Sequence, residues 1–277
     1  KPCILRKGVE NSKTQSFIAC LADLYTDFTK DEPLTLSIQE MKNIIIDSLT
    51  LSNFISYNNG SLVTIFTDSS MEIDFEKYSD DVIFRNVKLE NLTQYYQKIV
   101  SAFEKFILFL KDDNNTIDHT YLWDLVTKPN KKLFPKGINL IILNIPDDDI
   151  TDNVEFICPT NHYSNSKYNS NKKTLILIKK YDYYEPIYNY TDTGKSLNVE
   201  KLFDEKDKKI NKNIKRTLIA IKNEVLDSCK PLLSQREKYV FKRNINLITL
   251  IKELKTKGYE TKKQILNFSG QVIGVIA

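Results

Sequence analysis

The 277-residue sequence has few of the residues that build metal sites. It contains four cysteines and two histidines, His119 and His162, and none of the cysteines forms a Cys-x-x-Cys pair. A structural zinc site needs four such ligands at short, characteristic spacings. The sequence therefore predicts neither a metal centre nor a bound cofactor.

Long apolar runs and a strong net charge are also missing. No apolar run approaches the roughly 20 residues that span a bilayer, and no secretory signal stands at the start. The 40 basic and 36 acidic residues give a net charge of +4, which is too balanced for a dedicated nucleic-acid-binding protein. We expect a soluble protein with no membrane partner, in a reducing intracellular compartment.

What the sequence does contain is enough apolar material, 41 % of residues, for a true core. Amphipathic patterns predict helices over residues 38–51, 89–110 and 118–126, the first opened by a capping box at Ser37 and Glu40. Apolar runs bounded by turns predict strands over 138–145 and 154–158, and a hairpin over 173–180 and 183–190. Because the strands follow the helices, we predict a mixed α/β (α+β) fold, with a central mixed sheet flanked by helices.

The character of the chain changes after residue 194. A basic run at 206–216 opens a long helix that extends to about Leu233, and a further helix over 244–257 ends at Gly258. We therefore divide the chain into an α/β domain, 1–194, and a helical extension, 195–277, ending in a truncated strand at 271–277. The sequence is expected to be part of a longer polypeptide.

The most informative stretch is 11–25, where small polar residues turn into an amphipathic helix. Ser12 or Thr14 can cap this helix, which puts Gln15 and Ser16 in its first turn. Free N–H groups and the positive end of the helix dipole stabilise an anion there, and cysteine peptidases place their nucleophile in such a position. Here a serine occupies it, and Cys20 lies one turn deeper.

Three separated segments stand out together. They are Ser16-Phe17-Ile18-Ala19-Cys20-Leu21-Ala22 at the first helix, Tyr121-Leu122-Trp123 in a short helix before a buried strand, and Tyr183-Tyr184-Glu185-Pro186-Ile187 in the hairpin. In this order they resemble the motifs of the ovarian-tumour (OTU) cysteine peptidases. The first segment is similar to the nucleophile motif with serine in place of cysteine, the second to the tryptophan-bearing helix, and the third to the final motif with Tyr183 in place of the catalytic histidine. The resemblance covers residues 8–190 and implies an OTU- or papain-like fold.

The resemblance also implies that the catalytic chemistry is lost. An unperturbed phenol has a pKa of about 10, so Tyr183 is no general base near neutral pH. Ser16 would need such a base more than a thiol does. An engineered Cys→Ser change would explain Ser16 but not Tyr183.

We therefore expect a degenerate peptidase-fold domain that binds proteins or acts as a scaffold, with Trp123, Tyr184 and Glu185 as candidate contacts. The implied partners are ubiquitin-like proteins or viral core proteins. Similarity to proteins of large DNA viruses of amoebae, together with the Asn-, Lys- and Ile-rich composition, suggests such a virus as the source, in the host cytoplasm or the virion.

One alternative keeps the domain active. Cys20 could be the nucleophile, with His162 or His119 as its base and Gln15 as an oxyanion-hole donor. The competing interpretation is that Cys20 is a core residue, since it shares a helix face with apolar neighbours and free cysteine is usually buried.

Another alternative is a nucleic-acid-associated virion protein. Lys212, Lys215 and Arg216 lie on one side of a helical wheel and could neutralise phosphates. They could equally form the solvated face of a helix whose other side, including Ile214 and Leu218, packs on the core.

Overall fold

The computed structural model describes residues 2–28, 36–84, 94–147, 154–159, 168–192, 194, 196–208, 210–225, 229, 246–266 and 272–277. Within these residues the chain forms a mixed sheet of six strands flanked by helices. The predicted mixed α/β class is confirmed.

The described residues form eight α-helices. They are α1 (Ser16–Tyr25), α2 (Ile38–Ser48), α3 (Leu51–Phe54), α4 (Ser61–Phe66), α5 (Gln94–Lys111), α6 (His119–Thr127), α7 (Lys212–Ala220) and α8 (Leu247–Thr256). The predicted capping box is present, because Ser37 Oγ accepts from Glu40 N and the Glu40 carboxylate accepts from Ser37 N. The first five residues of the helix predicted over 89–110, residues 89–93, lie outside the described residues.

The start of α1 differs from the prediction. Neither Ser12 nor Thr14 is its N-cap; Gln15 is, and its side chain makes no capping bond. Ser12 Oγ instead accepts from the backbone N–H groups of Thr14 and Gln15, which forms the turn that leads into the helix.

The main sheet consists of β1 (Pro2–Arg6), β2 (Asn139–Ile145), β3 (Glu155–Phe156), β4 (Thr174–Lys180), β5 (Tyr183–Asp192) and β6 (Leu197–Glu200). The strand order is β1-β5-β4-β2-β3, and β6 also pairs with β5. Strands β2 and β4 are parallel and the other pairs antiparallel. The predicted hairpin is therefore confirmed, and its turn holds Tyr181 at a φ of +54°.

Helices cover both faces of this sheet. On one face α1 packs at the centre of the larger core, where residues 16–22 are all buried. On the other face Ile214 and Leu218 of α7 pack with Ile141 of β2 and Ile176 of β4. The predicted division at residue 195 falls between β5 and β6, which are hydrogen-bonded to each other, and α7 packs on the same sheet.

Lysines from elsewhere in the chain cover the C-terminal ends of three helices. Lys42 Nζ donates to Lys111 O at the end of α5. Lys172 Nζ donates to Thr127 O at the end of α6, and Lys201 Nζ donates to Asp23 O in the last turn of α1. These carbonyls are the ones a helix leaves unpaired, and a cation is favoured at this end of the dipole. The three lysines thus tie distant segments to helix ends.

The C-terminal part contains α8 and a separate hairpin of β7 (Lys263–Leu266) and β8 (Val272–Ile276). The segment predicted as a truncated strand is therefore paired with β7. Cys158 and Cys229 form a disulfide with a Cα–Cα distance of 5.3 Å. Disulfides persist mainly in oxidising surroundings, which does not fit the expected reducing compartment. In the described parts of the chain, no helix combines the length and apolarity needed to cross a membrane.

Candidate functional site

The N-terminus of α1 docks on the edge of β5 where β1 stops. The β1–β5 pairing ends at Arg6 and Ile187, followed by a bond from Lys7 N to Pro186 O. Beyond it, α1 supplies the hydrogen-bond partners: Tyr184 N donates to Ser16 Oγ at 3.0 Å, and Cys20 Sγ donates to Tyr184 O at 3.4 Å. Two side chains one helical turn apart thus replace a strand as the partner of β5.

The structure places Ser16 beside Tyr183, the residue at the position predicted for the base. Ser16 is buried there, and its hydroxyl is hydrogen-bonded to the backbone. Ser16 Oγ donates to Asp182 O at 3.3 Å and accepts from Tyr184 N, so it contacts the residues on both sides of Tyr183. The Ser16 residue is 1 % exposed. The Tyr183 hydroxyl donates to Val9 O at 3.3 Å, and burial raises the pKa of Tyr183. The tyrosine therefore stays protonated at neutral pH.

A buried polar cluster lies next to this contact. Tyr184 Oη is 2.7 Å from His119 Nδ1 and donates to Asp118 Oδ2 at 3.4 Å. Burial lowers the pKa of His119, while the neighbouring Asp118 carboxylate raises it and Lys179 lowers it further. Burial, followed by the charge of Asp118, raises the pKa of Tyr184. A neutral imidazole and a neutral phenol are thus hydrogen-bonded inside the core.

Two of the predicted partner contacts are core residues. Trp123 is 2 % exposed and packs edge-on against His119, with ring centroids 6.2 Å apart. Tyr184 is also buried and packs against Phe17 at 5.4 Å. Both rings are enclosed in the core, so neither is accessible to a partner protein in this structure. Glu185 is partly exposed and forms an ion pair with Arg6 at 3.1 Å.

Among the described residues, those of the active-peptidase alternative do not form a reactive site: Cys20 Sγ donates to Tyr184 O, and His119 Nδ1 is hydrogen-bonded to the Tyr184 hydroxyl. Cys20 is 0 % exposed, and burial raises its pKa well above the usual value, so the reactive thiolate is disfavoured. The Gln15 side chain is buried and donates to Asp112 O and Asn115 O, just after α5. His162 lies outside the described residues. The structure thus supports the core-residue interpretation of Cys20.

The basic face of α7 is confirmed as predicted. Lys212, Lys215 and Arg216 are all exposed, whereas Ile214 and Leu218 on the opposite side are buried. This arrangement is that of an amphipathic helix whose charged side is solvated.

A cavity of about 960 Å³ lies at the other end of α1. The ten-residue helix is about 15 Å long, so this cavity is distant from Ser16. Its walls come from four separated segments, 26–28, 134–138, 171–173 and 198–204. No motif in any of these segments predicts the cavity, because only folding brings the four segments together.

Comparison with protein-family models, with curated proteins and with solved structures finds no match to this chain. Among the described residues, no group of three or more histidine, cysteine, aspartate or glutamate side chains is arranged to hold a metal ion.

Replacing Ser16 with alanine should lower the free energy of unfolding by about 1–3 kcal/mol, because Tyr184 N–H would lose its partner inside the core. Urea unfolding followed by circular dichroism measures this change. Ser70→Ala is the control, since its hydroxyl bonds only to Asp68 at an exposed site and should change stability by less than about 0.5 kcal/mol. If the two variants lost the same free energy of unfolding, the hydrogen bond from Tyr184 N to Ser16 Oγ would not contribute to stability.

Proposed function

We propose that this chain is a catalytically inactive domain of the OTU-like type that acts as a protein-binding or scaffold module of a larger viral protein. The proposal that the domain is inactive rests on the burial and hydrogen bonding of Ser16. Its hydroxyl is buried, and it is fully hydrogen-bonded to backbone groups: it donates to Asp182 O, in the turn before β5, and accepts from Tyr184 N of β5.

A working nucleophile needs access to substrate and a base within hydrogen-bond reach. Ser16 has neither among the groups that contact it, because both of its partners are backbone groups. The nearby imidazole of His119 is engaged with Tyr184. Cys20 is enclosed and protonated. These facts favour a domain that has kept its architecture without catalysis.

Support for the OTU-like part comes from the combination of sequence and geometry. The segment that resembles the nucleophile motif opens a central buried helix, and the segment that resembles the histidine motif opens β5. The two segments are in direct contact through Ser16, Asp182 and Tyr184. Such contact is what a shared ancestral site requires.

A fluorogenic ubiquitin substrate and a ubiquitin vinyl-sulfone probe test the proposal. We expect the wild-type chain, Ser16→Cys and Cys20→Ala all to give no hydrolysis and no adduct, because the contact between α1 and β5 leaves no path to either position. Wild-type turnover that Cys20→Ala abolishes would overturn the proposal in favour of an active cysteine peptidase.

The choice of partner is tested separately by calorimetric titration with ubiquitin. Binding by an inactive chain, unchanged in Ser16→Cys, would support a ubiquitin-like partner. Inactivity without ubiquitin binding would exclude ubiquitin and leave other proteins, such as viral core components, as the partners.

A further inference from the structure

The cavity beyond the C-terminal end of α1 has a strand as one wall. Residues 198–202, which include most of β6, line it consecutively. A consecutive stretch of this kind exposes backbone as well as side chains to the cavity.

The edge of β6 that faces away from β5 has no strand on it among the described residues. Along a strand, the N–H and C=O groups of alternate residues point to opposite sides. Half of the backbone groups of β6 therefore point away from β5 and are open to a further strand. An extended peptide binds such an edge through main-chain hydrogen bonds.

The charges around the cavity favour an acidic occupant. Lys136 and Lys173 are exposed on its rim, and neither has an ion-pair partner within the described part of the chain. Lys201 is already paired with Asp27 at 3.0 Å. The remaining carboxylates, Glu200 and Asp204, accept hydrogen bonds from Asn189 Nδ2 and Lys206 N, respectively. The cavity lining thus holds four lysines, at 136, 172, 173 and 201, against three carboxylates, Asp27, Glu200 and Asp204, which gives a net charge of +1. Lys136 and Lys173, for which the described residues provide no ion pair, lie at the entrance.

The cavity also contains an aromatic surface. Phe28 is 40 % exposed and packs edge-on against Phe134, with ring centroids 5.2 Å apart. An exposed aromatic ring held by a buried one can anchor an apolar side chain of a partner. The cavity therefore has the features of a peptide-binding site: main-chain donors and acceptors, two lysines and one aromatic anchor.

We propose that this cavity binds an extended acidic peptide segment of a partner protein, which adds as a strand to the free edge of β6. Its acidic side chains face Lys136 and Lys173, and an apolar side chain contacts Phe28. The inference rests on the proposed protein-binding function and names the surface and the chemistry of the partner.

Fluorescence anisotropy with a labelled Glu-Val-Glu-Phe-Glu-Val-Glu peptide tests the inference on the full chain. We expect saturable binding by the wild type. The double variant Lys136→Glu/Lys173→Glu should bind about tenfold more weakly, since two attractions become repulsions. Phe28→Ala should weaken binding roughly fivefold. The same peptide with N-methyl groups on alternate residues should not bind, because it cannot form the strand hydrogen bonds.

The matched control is Lys212→Glu/Lys215→Glu on α7, which changes the net charge equally on the other face of the sheet and should bind like the wild type. Circular dichroism checks that each variant is folded. Failure of the wild type to bind at millimolar peptide, or equal weakening by the two charge reversals, would overturn the inference. A chain that lacks both peptide binding and ubiquitin hydrolysis leaves the inactive-module proposal standing, whereas ubiquitin hydrolysis removes that proposal whatever the peptide does.

Discussion

Replacing Gly137 with alanine should destabilise the protein by about 2–5 kcal/mol. Gly137 has a φ of +63°, and an added Cβ would lie 2.1 Å from Thr127 O. The left-handed conformation alone costs an L-residue about 1–2 kcal/mol, and forcing the chains apart adds about 1–3 kcal/mol. The close approach is required because the next residue, Ile138, donates its N–H to Val126 O of α6. Guanidinium unfolding monitored by circular dichroism measures the loss.

Gly194→Ala separates the two causes. Gly194 also has a positive φ, +77°, but within the described part of the chain no atom lies within 4 Å of the position its Cβ would occupy. Its replacement should therefore cost only the conformational part, about 1–2 kcal/mol. If both variants lost the same free energy of unfolding, an added Cβ at Gly137 would not lie as close as 2.1 Å to Thr127 O at the end of α6.

Asp113→Ala should cost about 3 kcal/mol even though the Asp113 side chain is 75 % exposed. Its partner is Lys42, whose side chain is 1 % exposed and whose Nζ lies 2.6 Å from Asp113 Oδ1. Removing the carboxylate leaves a buried ammonium whose one remaining hydrogen-bond partner among the described residues is Lys111 O. Differential scanning calorimetry and urea unfolding measure the effect.

The double variant Lys42→Met/Asp113→Ala tests the cause. Lys42→Met keeps the apolar stem and removes the buried charge, so alone it should cost about 1–2 kcal/mol for the lost hydrogen bonds. If the buried charge is what makes Asp113→Ala costly, the double variant should resemble Lys42→Met. Additive losses would contradict this account, because they would mean that the two side chains do not interact.

Features decided by neighbouring residues could be predicted from the sequence. The capping box at Ser37 and Glu40 needs two side chains three residues apart, and β2 needs only an apolar run between turns. The hairpin of β4 and β5 is likewise a local pattern, and each of these predictions is confirmed. In all three cases the determining chemistry lies within about 20 residues.

The candidate site could be predicted only in part, because its chemistry depends on distant partners. Ser16 hydrogen-bonds to Tyr184, 168 residues away, and Gln15 to Asn115, 100 residues away. No spacing rule reveals that Ser16 and Cys20 complete the edge of β5 where β1 ends. The pattern of a serine and a cysteine on a helix suggests catalysis, but their hydrogen bonds to β5 and the turn before it give both residues a structural role.

The lysines at the helix ends change how the abundance of this residue should be interpreted. Lysine is usually regarded as an interchangeable surface residue, and an AT-rich coding bias would explain its frequency without any structural need. Lys42, Lys172 and Lys201 nevertheless join segments far apart in the chain, and an amide-forming reagent or acetyltransferase that neutralised them would remove the charge from three helix ends. Amine labelling of the native protein should therefore reach these three last, and their modification should accompany unfolding.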